Sequence, residues 1–193
     1  MDIVRVTRKL TAKAVLEAYR EGIFPMAAPE YGLVTWHRPD PRAIIPLDGF
    51  HISHSLRRVL HQRRYTVTLD GDFEATMRAC AQGRGDTWIT EEFIRVYGEL
   101  HRQGQAHSLE IHVDGTLAGG VYGVQLARAF FAESMFHRVT NMSKVALAHL
   151  VEHLNRTGVT LLDVQYLTPH LASLGAIEIP HAEYRRRLAD SLR

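Results

Sequence analysis

The chain has 193 residues, of which 46% are hydrophobic and 23% charged, and its formal net charge at pH 7 is +2. This composition is typical of a folded globular protein with a sizeable core, and it excludes a disordered chain. The near-neutral balance also excludes a protein that is basic over its whole surface, although basic residues can be concentrated in one region.

Cysteine content and hydropathy predict a cytoplasmic protein. Cys80 is the one cysteine, so no internal disulfide can form. The charged N-terminal segment lacks the apolar core of a signal peptide, and no later segment has the length of a membrane span. We therefore expect a soluble protein with no membrane partner.

The N-terminal part of the chain predicts a small, irregular module. A short amphipathic helix is predicted at 11–20, because its apolar residues share one stripe and Gly22 follows as a stop. Residues 22–45 are rich in proline, which predicts turns with brief extended pieces at 33–36 and 42–45.

From residue 53 onward, helix and strand patterns alternate. Ser53 is placed to cap a helix, and residues 65–69 alternate as a strand would. Asp114 and Gly115 form a strong hairpin signal within an antiparallel meander, and the Gly83-to-Asp86 stretch predicts a loop. Further helices are predicted at 72–81, 91–103, 143–156 and 182–191, with strands at 107–113, 116–124, 128–134 and 160–167. The pattern predicts an α+β fold.

The predicted strand TLLDVQYL carries the first candidate site. Asp163 and Gln165 should leave one face of this strand, while Leu162 and Val164 leave the other. A carboxylate and an amide side by side could orient an amine or accept its proton. A structural pair bonded to nearby loops is the alternative.

Glu133 stands beside Met135 where another predicted strand ends. A carboxylate at the edge of an apolar pocket would suit a cationic substrate, and an ion pair with Arg138 or Lys144 is the structural alternative. The apolar residues predicted near it could line a pocket or pack as ordinary core. They are Val121, Met135, Leu147, Leu150, Leu154 and Leu162.

Basic residues are densest in the segment HISHSLRRVLHQRRY, at 51–65. A helix of this kind could neutralise RNA phosphates or could be a solvated basic face. Trp88 could stack on a nucleobase or cover the edge of the core. The histidines show no catalytic-zinc spacing, so we predict no metal. The basic cluster consists of His54, Arg57, Arg58, Arg63 and Arg64.

Taken in order along nearly the whole chain, many short motifs resemble the bacterial leucyl/phenylalanyl-tRNA–protein transferases. They are YREGIFPM, WHRPDPRAII, FHISHSLRR, TWIT, LHRQGQAHSLEI, GGVYGV, AESMF, MSKVAL, DVQ and HLASLGAIEIP. The resemblance implies a small N-terminal α/β domain, which we place at 1–62, followed by a GCN5-related acyltransferase-like domain at 63–193. It also implies transfer of Leu or Phe, with Met as a further donor to test, from aminoacyl-tRNA to proteins that begin with Arg or Lys. The product would be marked for N-degron proteolysis, and no cofactor would be needed.

The same resemblance implies roles for the candidate residues. Asp163 would polarise Gln165, which engages the attacking amine, or would itself act as the base. Glu133 would anchor the positively charged acceptor, and the apolar set would hold the Leu or Phe side chain. Trp88 and Met26 would bracket the terminal adenosine, while the basic cluster would grip the acceptor stem.

Some positions depart from the family pattern. Met26 stands where relatives often have Trp, and Leu150 and Leu154 replace aromatic residues, which affects donor preference more than reaction class. An acetyl-CoA-dependent N-acetyltransferase is the enzyme alternative, although VQLARAFFAES lacks the glycines of a pyrophosphate loop. The other alternative is a non-catalytic RNA- or N-terminus-binding relative.

Overall fold

The computed structural model describes residues 2–82 and 87–193. The loop predicted from Gly83 to Asp86 lies outside the described residues. The strands are β1 (Ile3–Thr7), β2 (Phe24–Ala28), β3 (Leu33–His37), β4 (Arg42–Ile45), β5 (Thr66–Leu69), β6 (Ala106–Val113), β7 (Thr116–Leu126), β8 (Ala129–His137), β9 (Leu161–Gln165) and β10 (Ile177–Ile179). The helices are α1 (Ala12–Arg20), α2 (His54–Gln62), α3 (Phe73–Ala81), α4 (Glu91–Arg102), α5 (Met142–Arg156), α6 (Pro169–Ala172) and α7 (His181–Ser191).

The strands form two sheets. The smaller sheet has the antiparallel order β1-β3-β2, and the larger has the order β10-β4-β9-β8-β7-β6-β5. Every neighbouring pair in the larger sheet is antiparallel except β8 and β9, which run parallel. The predicted meander of β6, β7 and β8 is confirmed, and so is the mixed α/β class of the fold.

Side-chain caps fix where several helices begin. Thr11, Ser53, Asp72 and Thr90 each precede a helix and accept a hydrogen bond from a backbone N–H of its first turn. Such caps satisfy donors that have no partner inside the helix. The cap predicted at Ser53 is confirmed, and the predicted helices lie within two residues of their observed bounds.

Apolar side chains cover both faces of the larger sheet. One core holds residues from α1, α3, α4 and α7, among them Tyr19, Tyr97 and Tyr184. The other holds residues from α2, α5 and α6 against the opposite face. The sheet is therefore a middle layer between two helical layers.

The proline-rich segment is more regular than the sequence predicts. Residues 22–45 contain three strands, where we expected mainly turns with two brief extended pieces. The pieces predicted at 33–36 and 42–45 are confirmed as β3 and β4, whereas β2 was missed, as were β1, β10 and the short α6. Pro25 lies in β2, which is an edge strand of the smaller sheet. An edge strand tolerates a residue without a backbone N–H, so a proline there does not exclude a strand.

The smaller sheet is confined to residues 3–37, whereas β4 belongs to the larger sheet. The domain division at residue 62 stays a prediction. No helix among the described residues combines the length and apolarity that crossing a membrane requires.

Candidate active site

A cavity opens where β8 and β9 separate. Their parallel pairing runs only from Ala129 with Leu161 to Phe131 with Asp163, while β8 continues to His137. The cavity at this gap has a volume of about 460 Å³ and is lined by Glu133 and Gln165 together with mainly apolar side chains. Ligand sites commonly combine apolar walls with a few converging polar groups.

A β-bulge directs Glu133 towards this cavity. Tyr122 of β7 pairs with Ser134, and the next residue of β7, Gly123, pairs with Ala132. Glu133 is thus the extra residue on β8 and has no direct partner on β7. Bulges of this kind re-aim side chains beside active sites.

Glu133 accepts hydrogen bonds from two sides. The Tyr19 hydroxyl and the Gln165 Nε2 group, at 3.3 Å, both donate to Oε1 of Glu133, and the Tyr97 hydroxyl lies 2.9 Å from that of Tyr19. Arg138, a predicted ionic partner, instead donates to the Leu117 carbonyl and the Gln82 side chain. Glu133 is therefore held by uncharged donors.

The surroundings of Glu133 favour its protonated form. The carboxyl group lies deep in the protein, although it keeps a partly exposed surface towards the cavity. Burial is the main cause that raises the pKa of Glu133 to about 8, against the opposing hydrogen bond from Tyr19. Burial also raises the pKa of Tyr19 well above its ordinary value, so Tyr19 remains a hydroxyl donor.

Asp163 lies behind the cavity in a buried ionic network. It forms a bidentate pair with Arg42, with Nη2 2.7 Å from Oδ2, and both side chains are fully buried. The Tyr184 hydroxyl donates to Oδ2 at 2.6 Å, and the backbone N–H of Gln165 donates to Oδ1 at 2.9 Å. Burial alone would lower the pKa of Arg42, but the charge and hydrogen bonds of Asp163 raise it. Arg42 is therefore charged where it contacts Asp163.

The expected neighbourhood of Asp163 and Gln165 is present, but its geometry differs from the prediction. Asp163 contacts the backbone of Gln165 rather than its amide, and the Gln165 amide reaches Glu133. Gln165 has a φ of 62°, in the left-handed region that side chains rarely adopt. The Asp163 carboxylate accepts a hydrogen bond from the N–H of this strained residue.

Five of the eight predicted substrate-binding residues line the cavity. They are Met26, Trp88, Val121, Met135 and Leu147. The other three, Leu150, Leu154 and Leu162, are at most 2% exposed in the core beneath and are absent from the described wall. Their contact with a substrate stays a prediction that the cavity geometry does not support.

The basic cluster lies on the surface of the α2 layer. His54, Arg57 and Arg58 are exposed on α2, and Arg63 and Arg64 follow it, also exposed. In residues 2–82 and 87–193, none of the five pairs with a carboxylate, so their charges are not neutralised by neighbouring side chains. Within the same residues, no group of three or more His, Cys, Asp or Glu side chains could hold a metal ion.

Sequence reasoning missed Tyr19, Arg42, Tyr97 and Tyr184 as parts of the site. Arg42 occurs in the strand-like run RAII, and a charged residue in such a run signals a buried partner. The tyrosines lie on helices, and only the fold brings their hydroxyl groups to the carboxylates.

Family models and individual relatives both match this chain over most of its length. A family model described as leucyl/phenylalanyl-tRNA protein transferase matches residues 44–189, and the model for the N-terminal domain of the same family matches residues 8–40. The leucyl/phenylalanyl-tRNA–protein transferase of Cereibacter sphaeroides is 56% identical over 187 residues, which cover 95% of this chain and 86% of that protein.

The protein of the same name from Salinibacter ruber is 51% identical over 183 residues, covering 95% of this chain and 80% of that protein. Among solved structures, a GCN5-related N-acetyltransferase from Kribbella flavida aligns at 12% identity with a TM-score of 0.47. The alignment covers 86% of this chain and 59% of that one.

Proposed function

Because the chain belongs to the leucyl/phenylalanyl-tRNA–protein transferase family, we propose that it transfers Leu or Phe from aminoacyl-tRNA to proteins that begin with Arg or Lys. As a member of this family, it is an aminoacyltransferase. The observation that carries the proposal is Glu133, held by Tyr19 and Gln165 against a cavity with apolar walls. The reaction takes place in the cytoplasm, and the added residue marks the product for N-degron proteolysis.

The chemistry requires little beyond positioning and one proton transfer. The α-amine of the acceptor attacks the ester carbonyl, an amide bond forms, and the bond to the ribose oxygen breaks. An aminoacyl ester is already activated, so holding the two reactants together supplies much of the rate. The proton of the attacking amine must then reach the leaving ribose hydroxyl.

Glu133 is suited to carry this proton. A general base works best when its pKa lies near the operating pH, and a free α-amine titrates near ~8. The pKa of about 8 for Glu133 lies close to the operating pH and to the pKa of the α-amine. Glu133 also carries the one carboxyl group among the described residues that line the cavity, and its ionised form can receive a cationic acceptor. We assign it the role of accepting the proton and then returning it to the leaving oxygen.

Asp163 acts as a positioning residue in this proposal. It is fully buried, it is not in the cavity wall, and Arg42, Tyr184 and the Gln165 N–H occupy its oxygen atoms. These contacts support its action through the backbone of Gln165 rather than as a direct base. Gln165 in turn donates to Glu133 and lines the cavity.

The apolar wall supplies the binding site for the transferred side chain. One side of the cavity is formed by the core that contains α2, α5 and α6. Its wall residues there are Val121, Met135 and Leu147. An apolar cavity discriminates by shape, at roughly 1–3 kcal/mol for each methylene-sized difference. Met26 and Trp88, from the other core, form a separate wall to which we assign the terminal adenosine. Met supplies a softer contact than an aromatic ring at this position.

The basic cluster of α2 is assigned to the tRNA backbone. Its exposed arginines can approach phosphates without first breaking ion pairs. Contacts of this kind fix the position of a nucleic acid but carry no sequence information. The proposal therefore predicts recognition that depends on the attached amino acid more than on the tRNA sequence.

A transfer assay tests the proposed function. Purified protein is incubated with labelled leucyl-tRNA and a peptide that begins with Arg, without ATP or added metal, and the label on the peptide is measured. A peptide that begins with Ala and is otherwise identical serves as the acceptor control. We expect label on the Arg peptide only, and parallel reactions use phenylalanyl- and methionyl-tRNA.

Absence of transfer from all three donors would overturn the proposal. A parallel reaction with acetyl-CoA separates it from an N-acetyltransferase, because acetylation of the peptide would identify the other reaction. Equal labelling of the Arg and Ala peptides would leave the aminoacyltransferase reaction in place but remove the proposed acceptor specificity.

A further inference from the structure

The rim of the cavity carries basic side chains that the proposed mechanism does not use. His137, at the end of β8, and His170, in α6, both line the cavity. The side chain of Lys144, one residue after the cavity residue Ser143, lies near enough to His170 for its charge to act on it. Basic side chains from three separate elements are therefore neighbours, and two of them lie in the cavity wall.

These basic side chains have no anionic partner in the described part of the chain. In residues 2–82 and 87–193, Lys144 makes no ion pair, and the ring of His170 makes no hydrogen bond. His137 contacts an uncharged group, with Nδ1 3.2 Å from the Ser143 hydroxyl. Burial, followed by the charges of Lys144 and His137, lowers the pKa of His170. An anion at this rim would relieve that repulsion.

The start of α5 adds a further attraction for anions. Asn141 precedes the helix with a φ of 73°, and its side chain caps none of the backbone N–H groups. A helix start with open N–H groups carries partial positive charge. A side chain at Gly119 would lie 2.5 Å from Cβ of Met142, so this glycine lets α5 begin directly against β7 at the cavity.

We propose that His137, Lys144 and His170 form a phosphate subsite that binds the 5′-phosphate of the terminal nucleotide of the donor. This inference rests on the proposed function, which places the adenosine of that nucleotide in the same cavity. The ligand is a phosphodiester, a singly charged anion that accepts hydrogen bonds from an ammonium group and from the N–H groups of imidazole rings. With its terminal phosphate bound there, the RNA backbone could continue along α5 to the basic cluster. His149 of α5 contacts Tyr65, which directly follows that cluster in the chain.

The test uses two small donors that differ by one phosphate. Phenylalanyl-adenosine and its 5′-phosphorylated, methyl-esterified form are compared in the transfer assay and by calorimetric binding to the full chain. We expect the phosphodiester to lower the apparent KM of the wild-type protein by about tenfold, as a charge-assisted contact would. The ratio of the two KM values is the readout, because a general loss of activity affects both donors.

Variants of Lys144 and His170 test whether these residues bind the phosphate. Lys144→Ala and His170→Gln should bring the ratio close to one, and Lys144→Arg should keep most of it. Lys13→Ala, which removes an exposed lysine paired with Glu17 on α1, is the matched control and should keep the wild-type ratio.

A wild-type ratio near one would overturn the subsite, while transfer from the phosphate-free donor would still support the proposed function. A wild-type ratio near ten that survives in Lys144→Ala and His170→Gln would place the phosphate elsewhere and would also overturn it. Loss of transfer from both donors in the wild-type protein would instead count against the proposed function.

Discussion

The Gln165 amide donates from Nε2 to Oε1 of Glu133 at 3.3 Å, across the gap where β8 and β9 no longer pair. This hydrogen bond joins two residues whose unusual backbone directs their side chains into one cavity. Glu133 lies in a β-bulge, and Gln165 has a left-handed backbone conformation. The Tyr19 hydroxyl donates a hydrogen bond to Glu133, and the buried Asp163 accepts one from the backbone N–H of Gln165. Groups held in this way need little rearrangement when a substrate binds.

The role of Glu133 as proton carrier predicts a large kinetic effect of Glu133→Gln. The amide keeps the shape and can still accept from Tyr19, but it cannot take the proton of the amine. We expect kcat to fall by about 10²–10⁴-fold, the usual contribution of a general base. Single-turnover transfer with saturating acceptor measures this, and an unchanged Kd for aminoacyl-tRNA serves as the control. Near-normal kcat in the variant would remove Glu133 from the chemistry.

The raised pKa of Glu133 also predicts an effect on stability. The carboxyl titrates near ~4.3 in the unfolded chain and at about 8 in the folded protein, so the folded state binds the proton more tightly. Its contribution to stability is present below ~4.3 and is lost as the pH rises through 8. Relative to Glu133→Gln, the wild-type protein should lose up to about 1.4 kcal/mol per pH unit across this window.

Urea unfolding at intervals from pH 5 to pH 9 measures that difference. We expect Glu133→Gln to gain stability relative to the wild-type protein as the pH rises. A constant difference between the two proteins at all pH values would show that Glu133 titrates normally. The carboxylate would then be a weaker base than the proposed mechanism needs.

The sequence predicted local features of the site better than its long-range pairs. The alternation in TLLDVQYL is confirmed, because Leu162 and Val164 pack in the α5 core while Asp163 bonds to Tyr184 of the opposite layer. The partner of Asp163 could not be predicted, since Arg42 is 121 residues away in the chain. Its position depends on β4 joining β9, which no local pattern encodes.

The bulge at Glu133 also could not be predicted from the local sequence. Regular alternation along AFFAESMFH would place Phe131 and Glu133 on one face, and Ala132 and Ser134 on the other. The extra residue breaks this alternation, because Ser134 pairs with Tyr122 and Ala132 with Gly123. Pairing across strands decides the register, so the direction of Glu133 is a property of the sheet rather than of its own strand.

The buried pair of Arg42 and Asp163 predicts a stability effect for Asp163→Asn. Removing one charge leaves the guanidinium group of Arg42 buried without its counterion, which costs about 3–5 kcal/mol. Transfer should fall as well, because the Gln165 N–H loses its charged acceptor. Asp190→Asn is a matched control, since the ion pairs of Asp190 with Arg186 and Arg193 are exposed, and it should change the unfolding free energy by less than about 1 kcal/mol. A similar small change in Asp163→Asn would contradict a buried ionic pair of Arg42 with Asp163.

The basic cluster predicts a salt-dependent loss of tRNA binding in the double variant Arg57→Ala with Arg58→Ala. Each phosphate contact releases counterions, so binding should weaken, and the slope of log K against log salt should fall by about one unit per lost contact. Filter binding of aminoacyl-tRNA at several salt concentrations measures both quantities. The matched control replaces Arg95 and Arg102, exposed on α4 in the opposite helix layer, and should leave the slope unchanged. Weaker binding with an unaltered slope in the α2 variant would show that these arginines support the fold rather than contact phosphates.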